Sequence, residues 1–149
     1  VEKLINDLLA FLVRHGFPMG GAAWFEVRGR RSGELRGVVV NPLTHLGRTY
    51  LVAPRGETQW VRNLRAAGQG ELRGQTWTAR ELPVAERGPV HRAYLARWSW
   101  QVKRWFTADS DPAAHPVFEL VPAWCSAPPP RSPAPGRRAP LRLTQSPAV

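Results

Sequence analysis

Apolar residues at Leu4, Ile5, Leu8, Leu9, Leu12 and Val13 recur at helical spacing, with Asn6, Asp7 and Arg14 off that face. Gly16 and Pro18 follow as stop signals, so residues 3–15 are predicted to form an amphipathic helix. The period then changes. Trp24–Arg28 has strand character, Gly29–Gly33 reads as a turn, and Leu35–Leu43, rich in β-branched Val38, Val39 and Val40, reads as a buried strand closed near Pro42. Thr49–Ala53 is its expected antiparallel partner across His45-Leu46-Gly47-Arg48. From Gln59 to Ala67 the pattern is helical again, with Trp60, Val61 and Leu64 on one side and Arg62 and Arg65 on the other, before Gly68 and Gly70.

Glu71–Arg73 and Gln75–Leu82 predict a hairpin with Gly74 in the turn, and a second helix is expected to start near Pro89 and run through Trp98 towards Phe106. Val117–Val121 supplies a last strand, ended by Pro122. Five or six short strands, few helices and no repeating βαβ pattern predict a mainly β fold of the α+β class with flanking helices, an antiparallel barrel or sandwich rather than a doubly wound sheet.

Composition narrows the reading. A chain of 149 residues fits one domain with one core. Its one cysteine, Cys125, leaves no internal disulfide framework and fits a reducing compartment. No apolar run reaches the roughly 20 residues of a membrane span, and the first residues lack a signal-peptide pattern, so a cytoplasmic location is expected. The net charge of +10 is unevenly distributed: residues 124–149 hold Arg131, Arg137, Arg138 and Arg142 with no acid, together with seven of the fifteen prolines. That segment has little apolar surface to offset ordering entropy and is predicted to be a disordered Pro/Arg-rich tail, solvated or touching acidic partners. The folded domain is expected over residues 1–123.

The chemistry-bearing motifs are few. No Gly-x-Gly-x-x-Gly follows a strand, and no Walker-type Gly-Lys-Ser/Thr exists. His15, His45, His91 and His115 lie far apart, so no metal site is expected. What stands out is an anion cradle. In Gly29-Arg30-Arg31-Ser32-Gly33 two guanidiniums, a hydroxyl and close backbone N–H groups suit phosphate or carboxylate, although a plain basic turn has the same composition. Pro54-Arg55-Gly56-Glu57-Thr58 then leads into the Trp60 helix, whose N-terminal N–H groups favour anions. Two such elements flanking one strand pair suggest a long, multiply charged ligand. Trp60 and Asn63 read equally well as a core anchor and a core hydrogen-bonder.

Together with Val40-Asn41-Pro42-Leu43, Tyr50-Leu51-Val52-Ala53, Trp60-Val61-Arg62-Asn63-Leu64-Arg65-Ala66 and His115-Pro116-Val117-Phe118, this turn gives residues 1–123 a pattern that resembles the deazaflavin (F420)-dependent nitroreductase family of oxidoreductases. The resemblance implies a split β-barrel of the FMN-binding type that transfers a hydride from reduced F420 to a quinone, nitroaromatic or activated enone. It implies that Arg30, Arg31, Ser32 and Gly33 hold the phosphate and polyglutamate tail of the coenzyme. Asn41, Pro42 and Leu43 would line the deazaflavin ring, and Ala53, Pro54, Arg55 and Gly56 would close around phosphate and ring. Trp60 and Asn63 would fix that loop. An aromatic wall would correspond to Tyr94, Trp98, Trp100, Trp105 and Phe106, with the Tyr94 phenol or water as proton source. At Pro54 the chain departs from the longer serine- and glycine-bearing loop of similar proteins, so no serine-based substrate role carries over.

The implied partner is a small-molecule electron acceptor, with no nucleic acid, in a monomer or homodimer. The 3–15 helix would pack on the core, cover the pocket or touch a membrane peripherally. The alternatives are an FMN- or haem-binding split barrel, and a basic nucleic-acid-binding small barrel; the body has no long Lys/Arg run to favour the latter.

Overall fold

Alternate residues of β1 (Ala23–Arg28) turn inward: Ala23, Phe25 and Val27 are buried. β1 pairs antiparallel with β2 (Leu35–Val40) and, on its other side, with β5 (Gln69–Leu72). The computed structural model describes residues 20–106 and 111–126, together with Asp7, Phe11 and Leu12. With β3 (Leu43–His45), β4 (Arg48–Val52), β6 (Gln75–Glu81) and β7 (Val117–Pro122), the strands form one antiparallel seven-stranded sheet in the order β2-β1-β5-β6-β7-β4-β3.

That order dictates curvature. Laid flat, seven strands would place β2 and β3 roughly 29 Å apart at about 4.8 Å per strand. Yet these two strands are consecutive, joined only by Asn41-Pro42, a link that spans on the order of 10 Å. The sheet must therefore curl until its two edges approach one another, which makes it a split barrel.

Two helices fill the two sides of this curled sheet. Helix α1 (Gln59–Ala67) seats Val61 and Leu64 among Phe25, Val27, Leu51, Leu72, Phe118 and Leu120. Trp60 lies edge-on to Phe25 and tilted against Phe118, at centroid distances of 6.3 and 6.1 Å. Gly70 permits this packing, since a Cβ there would sit 2.3 Å from the Phe25 ring. Helix α2 (Val84–Val102) lays Val90, Tyr94, Trp98 and Val102 on the other face, against Leu43, Tyr50, Val52 and Val117. β7 is covered on both sides, which explains its nearly continuous apolar run. The exception, Glu119, is buried with its carboxylate held by Arg48 at 3.0 Å and Arg80 at 2.5 Å, as a buried charge requires.

Several elements differ from the sequence expectation. Leu35–Leu43 is not one strand: it breaks at Asn41-Pro42, where proline lacks the N–H a ladder needs. β4 consequently pairs with β3 and β7, and not with β2, whose partner is β1. The turns Leu46-Gly47 and Arg73-Gly74 have positive φ at both central residues, the geometry of a tight two-residue hairpin. Helix α2 begins at Val84 and carries Pro89 inside it, because only one backbone bond is lost near its start while a long face is buried. It ends at Val102, and Lys103–Trp105 form a 3₁₀ turn.

Of the helix expected over 3–15, Asp7, Phe11 and Leu12 are described and are helical; the rest lies outside the described residues. Trp124, placed at the start of the expected tail, belongs to a short helix α3 (Ala123–Ser126), and residues 127–149 lie outside the described residues.

His91 on α2 is buried and donates from Nε2 to the His115 carbonyl at 2.9 Å, beside Phe106. Burial pushes its pKa below the ordinary value, with the His115 and Arg87 charges acting the same way and the carbonyl opposing them. The unfolded chain thus takes up a proton at higher pH than the fold does, so stability is full above about pH 6.5 and falls as pH drops below it. Melting temperatures measured between about pH 5 and 8 should decline on the acid side, and His91→Gln should flatten that decline.

Candidate functional site

The β1–β2 hairpin ends in the Gly29–Gly33 turn, closed by Gly29 N–H to Glu34 O at 2.8 Å and Gly33 N–H to Gly29 O at 2.9 Å. Ser32 Oγ accepts from Glu34 N–H at 3.3 Å, and Arg28 donates to the Gly33 carbonyl at 2.5 Å. Ser32 and Gly33 thus shape the turn itself. Arg30 is tied to α1: its backbone N–H and its Nη1 donate to Asn63 Oδ1 at 3.2 and 3.0 Å, and Nη1 also donates to Gln59 Oε1 at 2.9 Å. Asn63 is buried, so this is the hydrogen-bonding role its amide needs in the interior.

The loop after β4 is held from below. Ala53 N–H donates to Pro116 O at 2.9 Å, Gly56 N–H to Ala53 O at 3.0 Å, and Thr58 N–H to Gly56 O at 2.9 Å. Thr58 is the residue before α1, and its buried Oγ1 has no hydrogen-bond partner. The first N–H groups of the helix behind it likewise have no intrahelical acceptor.

Between these two elements and the end of α2 lies a cleft of about 1150 Å³. Arg30, Arg31, Arg36, Arg55 and Arg62 line it, and among the described residues no carboxylate does. Glu34 pairs with Arg36 at 3.4 Å, and other acids are engaged away from the cleft. Glu81 accepts from Arg65 at 2.6 Å and from Arg87 at 2.9 Å, and Glu57 also pairs with Arg65. The Arg65 hydrogen bond holds the Glu81 carboxyl below the usual range, against the opposing effect of burial, and the same partners raise Arg65. Among the described residues, the Arg31 and Arg62 guanidiniums have no carboxylate partner.

The opposite wall is apolar and aromatic. Val38, Val39 and Val40 come from β2, and Gly37 keeps that strand close to Trp24, because a Cβ there would meet the indole at 1.9 Å. Asn41 donates from Nδ2 to Gln101 Oε1 at 2.8 Å. Tyr94 is buried at this end, its phenol pushed up to about 12 by burial and partly offset by a hydrogen bond with Asn41. Trp105 lies under Arg55 and Arg104, 5.7 and 4.2 Å from its ring centroid, and Trp100 is 74% exposed.

The cleft brings together nine residues singled out in the sequence: Arg30, Arg31 and Ser32 at one end, Asn41, Ala53, Pro54 and Arg55 along it, and Trp60 and Asn63 from α1. Gly33, Pro42, Leu43 and Gly56 do not line it; Leu43 packs under α2. Of the expected aromatic wall, Tyr94, Trp100 and Trp105 line the cleft, whereas Trp98 is core and Phe106 stacks on His115 at 4.2 Å. Arg36, Thr58, Gln59, Arg62 and Gln101 also line it and carried no signal of a site in the sequence, apart from the position of Thr58 just before a helix. Among the described residues no helix is long and apolar enough to cross a membrane.

No protein-family model matches the chain, and no curated protein does. Solved structures do. One described as a domain-swapped dimer is 20% identical, with 80% of this chain and 92% of that one covered at a TM-score of 0.56. An F420-H2 dependent reductase is 21% identical, with 68% and 94% covered at 0.52. A FAD-binding protein from Mesorhizobium loti is 13% identical, with 77% and 88% covered at 0.50. At these identities the likeness is one of fold: the chain is a split β-barrel, with helices on both sides of a curled antiparallel sheet.

Proposed function

We propose that the cleft binds the deazaflavin coenzyme F420 and that the protein is an oxidoreductase reducing a small electron-poor acceptor such as a quinone, nitroaromatic or activated enone. The observation that carries this reading is the arginine-lined cleft, with no acid among the described lining residues, running from the Gly29–Gly33 turn past the start of α1 to an apolar wall. A long ligand with phosphate and carboxylate groups at one end and a planar ring at the other matches its donor set. The unpartnered guanidiniums, the free N–H groups of α1 and the unpaired Thr58 hydroxyl all call for acceptors. The fold shared with an F420-H2 dependent reductase supports the same ligand.

When bound, the reduced deazaflavin supplies a hydride. The chain's own work is positional. Arg31 and Arg62 take the anionic end, while Arg30, fixed by Asn63, keeps the turn in register with α1. Val38–Asn41, Ala53 and Pro54 shape the slot for the ring and limit water, so that ring and acceptor meet in one orientation. Tyr94 stays a neutral phenol at physiological pH, and it holds the proton that accompanies the hydride. The fold shared with a FAD-binding protein favours FMN as a second reading for the ring slot.

Titration of F420 fluorescence with purified protein should saturate, and Arg31→Ala should weaken the affinity at least tenfold, by roughly the 1.5–3 kcal/mol of a charge-assisted hydrogen bond. No saturable signal overturns the coenzyme, and saturable quenching of FMN alone would move the assignment to FMN. Asn63→Ala should destabilise the fold by about 1–3 kcal/mol in urea denaturation, since Arg30 loses a buried acceptor. Tyr94→Phe should leave coenzyme affinity in place and lower turnover by about tenfold or more, with solvent supplying the proton instead.

A further inference from the structure

At the far end of the cleft, the last turn of α2 and the 3₁₀ turn after it carry Trp100, Lys103, Arg104 and Trp105. Trp100 and Gln101 line both the cleft and an adjoining hollow whose other walls are Lys103 and Arg104. Trp100 is 74% exposed, a large ring left to water beside the apolar wall of the cleft. Trp105 lies beneath two guanidiniums, Arg104 at 4.2 Å and Arg55 at 5.7 Å from its centroid. Among the described residues no carboxylate pairs with Arg55, Lys103 or Arg104. A guanidinium stacked on an indole keeps its N–H groups in the plane of the fork, where a carboxylate can be taken bidentately.

Cations after a helix C-terminus also offset the carbonyl end of the helix. That role does not require an exposed indole beside them or a continuous surface into the cleft. Gln101 adds orientation: its Oε1 is occupied by Asn41 at 2.8 Å, which turns its NH₂ donor to face other acceptors.

We propose that this shelf selects the acceptor: it takes planar aromatic substrates that bear an ionised carboxylate, with the ring on Trp100 and the carboxylate on Lys103 and Arg104. The proposal rests on the reading of the cleft as a reductase site and adds the substrate class. The conjugated nitro or carbonyl group then points inward, past Gln101 towards Tyr94, and the carboxylate stays at the rim. Specificity comes from desolvating an aromatic face together with pairing a charge, so neutral analogues lose the second part.

The test compares 4-nitrobenzoate with its methyl ester. The ester is the more electron-poor ring and is intrinsically easier to reduce, so chemistry alone favours it. Binding is read first, without coenzyme, as quenching of tryptophan fluorescence. 4-Nitrobenzoate should bind at least tenfold more tightly than the ester, and Lys103→Gln/Arg104→Gln should bring it down to the level of the ester. Arg104→Lys, which keeps the charge, should retain part of the preference. Steady-state kinetics with reduced F420 should show the same order in kcat/KM. Equal binding of acid and ester, or a preference that survives the double variant, overturns the proposal. Loss of F420 binding with the carboxylate preference intact would instead overturn the reductase reading and leave the shelf in place.

Discussion

The buried Asn63 amide is the joint on which the site depends. One side-chain oxygen accepts both the backbone N–H and the guanidinium of Arg30, from a turn 33 residues earlier in the chain. The helix that carries Asn63 is itself anchored by Trp60 between Phe25 and Phe118, so the turn inherits the rigidity of the core. An anion cradle built from a free hairpin tip would have to order its own backbone on binding. Here that ordering cost is met during folding, and the arginines beside Arg30 present a prearranged surface.

Charge is partitioned with the same logic. Glu57 and Glu81 are gathered by Arg65 and Arg87 on the outer side of α1, where they tie the helix to β6 and α2. Glu119 is held by Arg48 and Arg80 on the sheet. Among the described residues these pairings leave Arg31 and Arg62 facing the cleft without a carboxylate partner, while Arg36 is paired with Glu34. The net charge of the chain says little about this; what matters is which arginines have partners.

Much of the local structure was legible in the residues. The Trp60–Val61–Leu64 spacing marked α1 with its bounds, the glycine after Arg73 marked a hairpin, and Val117–Val121 marked the last strand. Strand pairing was not. Leu35–Leu43 and Thr49–Ala53 look like a hairpin in sequence, because two apolar runs separated by a short polar loop usually are one. The pairing goes astray at Asn41-Pro42, where a proline ends one edge of the sheet and the next three residues begin the other. Pro89 misled in the opposite direction: taken as a helix start, it lies inside a helix whose buried face outweighs one lost bond.

What the sequence by itself determined is the set of local parts: an Arg-Arg-Ser-Gly turn, a helix opening with polar residues, an aromatic-rich segment, and periodicities that favour strands in the middle of the chain. These follow from short-range sterics and from hydrophobic spacing, which neighbouring residues carry without knowledge of the fold. Only the tertiary structure decided that the turn and the helix share one oxygen, that Tyr94 and Trp105 face the cleft while Trp98 and Phe106 do not, and that Arg36, Arg62 and Gln101 join them. Those outcomes depend on the curl of the sheet. A two-residue link between its edges strands forces it, and it brings distant segments to one surface that no spacing along the chain records.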